Sequence, residues 1–240
     1  MIADTLAPRH APRYDLYAGI HKAARAFMTD TLGRIGRLDV TDDADTRAAL
    51  TQLEALLAFC EKHLQHENEF VHPAIEAREP GSAGRIAAEH REHLEAIAAL
   101  REDARQLLVA ALPQRASLAL RLYRHLALFV AENFEHMHVE ETLHNATLWT
   151  HYSDEELHAL HGRLKASIAP PDMLEVLRWL VPALTPAERA GMLNGAKAEM
   201  PATAFQAMVG YVRPHLDATA WNKLAPAIGV ERDPRFAHVG

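Results

Sequence analysis

Apolar residues recur at three- and four-residue intervals along four long stretches, the spacing that gathers side chains on one face of an α-helix. In the first, from about Tyr14 to Leu38, the stripe is Tyr17, Ile20, His21, Ala24, Phe27, Met28, Thr31 and Ile35. The second runs from about Asp45 to Val71 with Leu53, Leu56, Phe59, Cys60, His63, Glu67 and Phe70 on one face, and Pro73 is expected to end it. The third, about Ala83 to Ala111, carries Ile86, His90, Leu94 (or His93), Ile97 and Leu100. The fourth, about Arg115 to Trp149, carries Leu122, Leu126, Phe129, Asn133, His136, Glu140 and Leu143. Thr41-Asp-Asp-Ala-Asp45 and Pro80-Gly81-Ser82 read as the turns between them. The pattern predicts an all-α chain built on an antiparallel up-down-up-down four-helix bundle.

The boundaries that follow are an N-terminal arm (1–13), the bundle (14–150), an appendage of short helices (151–230) and a tail (231–240). Ser153-Asp-Glu-Glu156 has the form of a capping box, and Thr185-Pro186 that of an N-cap followed by proline in the first turn. Helices of about 12–15 residues are marginal alone, so the appendage must pack on itself, on the bundle or on another subunit. Its stripe of Leu174, Leu177, Leu180, Leu184, Met192, Phe205, Met208 and Trp221 reads as core.

Composition agrees with a globular helical protein: 49% of 240 residues are apolar. The formal charge of −7 argues against a nucleic-acid partner. No apolar run is long enough for a membrane span, and the single Cys60 excludes a disulfide framework and a cysteine-based metal site, so a cytoplasmic protein is expected. The outlier is histidine, with sixteen residues, many of them gathered in the windows 63–72, 90–93 and 136–144.

Two of those windows share a design. His63-x3-Glu67 and His136-x3-Glu140 each place an imidazole and a carboxylate one helical turn apart, on the stripe that faces the core. His21 and His90 sit at interior phase on the other two helices. Buried carboxylates and imidazoles are costly unless partnered, and a pair of cations would relieve all six at once. Imidazole with carboxylate suits iron, manganese or zinc.

These four motifs in order resemble the haemerythrin-like (HHE cation-binding) domain family, over about residues 14–150. His72-Pro73 falls where that family usually has an aromatic residue and proline. The resemblance implies a bundle around a non-haem di-iron centre, two iron ions held by His21, His63, Glu67, His90, His136 and Glu140, with the glutamates bridging. The oxygen-carrying members have seven ligands, among them a second histidine where Leu94 stands and an aspartate where Glu141 stands. The chain therefore looks closer to the six-ligand variants, which include sensors of oxygen or iron and iron-centre-repair proteins. One open coordination position is expected on the metal bound by fewer histidines. His93 is an alternative to His90, which fits the motif better. His66, His72, His138 and His144 are expected to flank the site, and His158, His161 and His215 to be surface or structural residues.

The expected function is binding of O2 or NO as sensor, store or scavenger. The alternatives are a redox enzyme for iron-centre repair or peroxide breakdown at the same site, and an interaction module with a structural metal. The C-terminal helices are the surface expected to meet a second copy or a protein partner. A ferritin-like site is disfavoured: Glu69-x-x-His72 and Glu141-x-x-His144 fit it, but the first helix has no glutamate. A zincin is disfavoured because Phe70 stands where the second histidine belongs.

Overall fold

A computed structural model describes residues 13–82 and 84–231. Residues 1–12 of the expected arm (1–13) and 232–240 of the expected tail (231–240) lie outside the described residues. Helices α1 (Ala18–Gly36), α2 (Asp43–His66), α4 (Gly84–Val109) and α5 (Leu112–Val139) pack as a ring, each against its two neighbours, in antiparallel up-down-up-down order. A short α3 (His72–Arg78) and α6 (Asn145–His151) extend α2 and α5 beyond the ring. Then follow α7 (Asp154–Ser167), α8 (Pro170–Ala183), α9 (Pro186–Glu199), α10 (Ala202–Val212) and α11 (Ala218–Ala227). Among the described residues there is no strand, and no helix is long and apolar enough to cross a membrane.

Local signals in the sequence account for the helix starts. Asp42 caps α2 by accepting from the backbone of Ala44 and Asp45. Ser153 with Glu156 and Thr185 with Glu188 both form reciprocal capping boxes. Gly81 turns the chain between α3 and α4 with a φ of +89°, where a side chain would be strained.

The bundle interior is filled by Ala24, Phe27, Leu53, Leu56, Ile97, Leu122, Leu126 and Phe129 with their neighbours. A smaller apolar cluster, Tyr17, Val71, Ile75, Leu148 and Leu157, closes one end beneath α3, α6 and α7. The polar residues of the candidate site lie between these two layers. The appendage packs both on itself and on the bundle. Val181, Leu193, Phe205, Val209, Trp221 and Leu224 make its own core. The other face of α8 lies along α1, where Trp179 stacks on Phe27 at 4.1 Å between ring centroids and 13° between planes. Lys22 on α1 pairs with Glu188 on α9 at 2.7 Å.

Two expectations need correction. Pro73 does not end the second helix: the chain stays helical to Arg78. Proline lies in the first turn of α3, where its missing N–H is no loss. Leu143 does not share the inward stripe and is 63% exposed, while His144 is buried. Both corrections have one origin. Residues Glu67–Val71 and Glu140–His144 each form a π-helical turn, in which the N–H of His72 donates to the Glu67 carbonyl and that of Asn145 to the Glu140 carbonyl, five residues back. The wider turn shifts the helical phase by one residue. Of the two alternatives on α4, which has no such turn, His93 is the buried one and Leu94 is exposed.

Candidate metal centre

Four helices bring one histidine each to a common point. His21 comes from the first turn of α1, His63 from the last turn of α2, His90 from α4 and His136 from the end of α5. Glu67 and Glu140 follow their histidines by one turn and open the two π-helical segments. All six are buried except His63, whose side chain keeps 16% exposure.

The six donors fall into two groups. His21, His63, Glu67 and Glu140 present atoms that all lie within 4.8 Å of one another, and so do Glu67, His90, His136 and Glu140. The glutamates belong to both groups. His21 Nε2 lies 3.4 Å from Glu140 Oε2 and 3.8 Å from Glu67 Oε1. His63 Nε2 lies 3.3 Å from Glu67 Oε1, and His90 Nε2 3.6 Å from Glu67 Oε2. His136 Nε2 lies 3.4 Å from Glu140 Oε1 and 3.1 Å from His90 Nε2. The two groups are alike, two imidazoles and the shared carboxylates each, so the expected inequality in histidine number between two metal positions does not arise.

The donor atoms are left over by the protein. His21 Nε2, His63 Nε2 and both oxygens of Glu67 and of Glu140 are buried without a hydrogen-bond partner among the described residues. Orphaned buried polar atoms are costly, and six of them facing one point fit a cation pair.

The opposite ring nitrogens are anchored. His21 Nδ1 meets Glu141 Oε1 at 3.1 Å, His90 Nδ1 meets Asn68 Oδ1 at 2.9 Å, and His136 Nδ1 meets Glu89 Oε2 at 3.0 Å. A partner on Nδ1 fixes the ring so that Nε2 faces inward. Glu141 is held in turn by Arg25, at 2.5 and 3.0 Å. Thus the residue at the expected aspartate position supports His21 from outside.

Electrostatics reflect the crowding. Burial works against a charged His21, but its hydrogen bond with Glu141 and the close carboxylates of Glu67 and Glu140 outweigh it and raise its pKa to about 9. His136 follows the same balance, through Glu140 above all, to about 9. Burial and the neighbouring His21 depress His63 to about 3, and burial with His136 depresses His90 to about 2. Burial and the charge of Glu140 raise Glu67, whereas His136, 3.4 Å away, overcomes burial and lowers Glu140.

His93 joins neither group. Its ring stands edge-on to His136, 4.8 Å between centroids. His138 and His158 are exposed and His66 is partly so. His161 meets the Tyr14 hydroxyl. His72 and His144 were expected only to flank the site, yet both are buried beside it.

A cavity of about 970 Å³ leads to the His63 side of the centre. Ile20, Phe59, Val176, Leu180 and Met192 are among its walls, so α8 and α9 form part of the approach.

The fold and these side chains together define a helical-bundle protein with a buried histidine–carboxylate cluster. Residues 13–147 match the family model described as Hemerythrin HHE cation binding domain, and the chain belongs to that family. No curated protein and no solved structure matches it.

Proposed function

We propose that the protein holds two iron ions, one by His21 and His63 and the other by His90 and His136, with Glu67 and Glu140 shared between them, and that it binds O2 or NO as a sensor, store or scavenger. Manganese and zinc suit the same donors. The observation that carries this reading is the pair of matched four-residue groups with two carboxylates in common. Carboxylates bridge ions about 3.5–4 Å apart, which a shared glutamate permits. When bound, the ions would supply redox-active centres with a free coordination position for a diatomic ligand.

The chain's own residues do three things for such a centre. Glu141, Asn68 and Glu89 orient three of the imidazoles and hold Nε2 toward the donors' common point. The apolar layers above and below exclude water. The mainly apolar cavity beside His63 admits a small uncharged ligand more readily than an ion.

Iron analysis of protein made without an affinity tag, followed by visible spectra of the anaerobically reduced protein before and after each gas, tests the reading. Two iron ions per chain and a new absorption band with O2 or NO are the expected results. Stoichiometric iron with an unchanged spectrum under both gases would overturn the gas-binding part and leave a structural metal site.

A further inference from the structure

His72 and His144 are not used by the proposed pair. They come from opposite halves of the bundle, one opening α3 and one closing the π-helical turn after α5. Their rings meet edge to face, 5.6 Å between centroids and 86° between planes. They are only 6% and 3% exposed. The Nε2 atom of each is buried without a hydrogen-bond partner among the described residues. Donor atoms of His72, His144 and Glu140 lie within 4.8 Å of one another.

We propose that His72, His144 and Glu140 form a third divalent-cation site adjoining the dinuclear centre. Two imidazoles and one carboxylate are the donor set of open zinc sites and of mononuclear non-haem ferrous sites. Three protein donors leave room for water or a further ligand. His144 is prepared as the other histidines are: its Nδ1 lies 3.3 Å from the hydroxyl of buried Tyr17, which leaves Nε2 for the cation. A carboxylate has four lone-pair sites, so Glu140 can serve a third ion while bridging two. The π-helical turns are what bring both histidines inward, because without the one-residue phase shift Phe70 and Leu143 would take the inward-facing positions. The site rests on the proposed pair only through the shared Glu140.

Zinc loading of metal-free protein, followed by desalting and elemental analysis, is the test, with zinc-edge anomalous diffraction from crystals of the loaded wild type to place each ion. Wild type is expected to retain three ions per chain and His72→Gln/His144→Gln two, with an anomalous peak between His72, His144 and Glu140. Glu67→Gln, which lies outside the third site, should weaken the pair and leave that peak. Two ions in both proteins, or no peak at His72 and His144, overturns the third site while the pair stands. One ion in wild type, lost in the double variant, supports the third site and overturns the pair. Should the double variant fail to fold, the anomalous map decides alone.

Discussion

Glu140 lies wholly buried, and no hydrogen bond from the described residues reaches its carboxylate oxygens. Glu67 shares that condition beside it, so the metal-free site holds two acidic groups in one dry space. Removing one of them relieves repulsion in the empty protein but deletes a bridge from the loaded one. An ion present at a thousandfold over its Kd adds about 4 kcal/mol. For a chain of this size each kcal/mol shifts Tm by roughly 2–4 °C. Glu140→Ala and His63→Ala are therefore expected to lose bound iron, and with it on the order of 10 °C of the loaded protein's Tm per ion lost. His158→Ala, on an exposed ring, should change neither. Equal iron content in all three variants would refute the site. Cys60 offers a second check at this scale. Burial pushes its thiol up to about 12, so labelling by a thiol reagent at pH 8 should proceed only as fast as the protein opens. The convergence of the six donors was legible because spacing within a helix encodes a shared face. Glu89, Asn68 and Glu141 were missed as ring anchors because their bonds cross between helices, and helix rotation is not written in spacing. Their one signal is position, each directly beside a candidate donor.

At the scale of elements, the four long helices were legible and their final turns were not. A periodicity argument assumes 3.6 residues per turn throughout. The π-helical turns at Glu67 and Glu140 break that assumption where the chemistry is, which is why Phe70 and Leu143 were expected inside and His72 and His144 beside the site. No residue type marks such a turn in advance. The end of α8 shows another device that spacing conceals. Arg189 is 5% exposed and donates to the carbonyls of Val181, Pro182 and Leu184 at 2.7 to 3.0 Å. These are carbonyls at the helix terminus that lack intrahelical partners, at the negative end of the helix dipole. Arg189→Met keeps much of the side-chain volume and removes every one of those bonds. It should cost about 3 kcal/mol, since each buried carbonyl left bare costs roughly 1–3 kcal/mol. Thermal unfolding followed by the near-ultraviolet signal of Trp221, in the same cluster, would read the loss. A Tm within about 1 °C of wild type would show that the carbonyls find other partners.

For the whole molecule, the metal-free protein carries opposed titrations in one interior, and their signs set its stability curve. His63, His72, His90 and His93 have folded pKa values depressed to about 2–4, by burial first and then by neighbouring histidines. Their contribution is present above the unfolded value of 6.5 and is lost as pH falls toward those lower values. His21 and His136 are raised to about 9 by their carboxylate partners, against burial. Their contribution is complete below pH 6.5 and is lost as pH rises through 9. The metal-free Tm should therefore peak near pH 6.5 and fall more steeply on the acid side, where more groups act together. Metal binding requires neutral imidazoles and ionised carboxylates, so loading at pH 7 should release about two to three protons, from His21, His136 and in part Glu67, which burial and Glu140 raise to about 7. It should also abolish the alkaline decline up to pH 9, because in the loaded state those two rings hold no proton to lose. Calorimetric zinc titrations in buffers of different ionisation enthalpy measure the protons, and paired melting curves from pH 4.5 to 9.5 measure the rest. A metal-free Tm that stays level between pH 6.5 and 9, or loading without proton release, would mean that the carboxylates do not hold these imidazoles protonated and that the empty site is arranged differently.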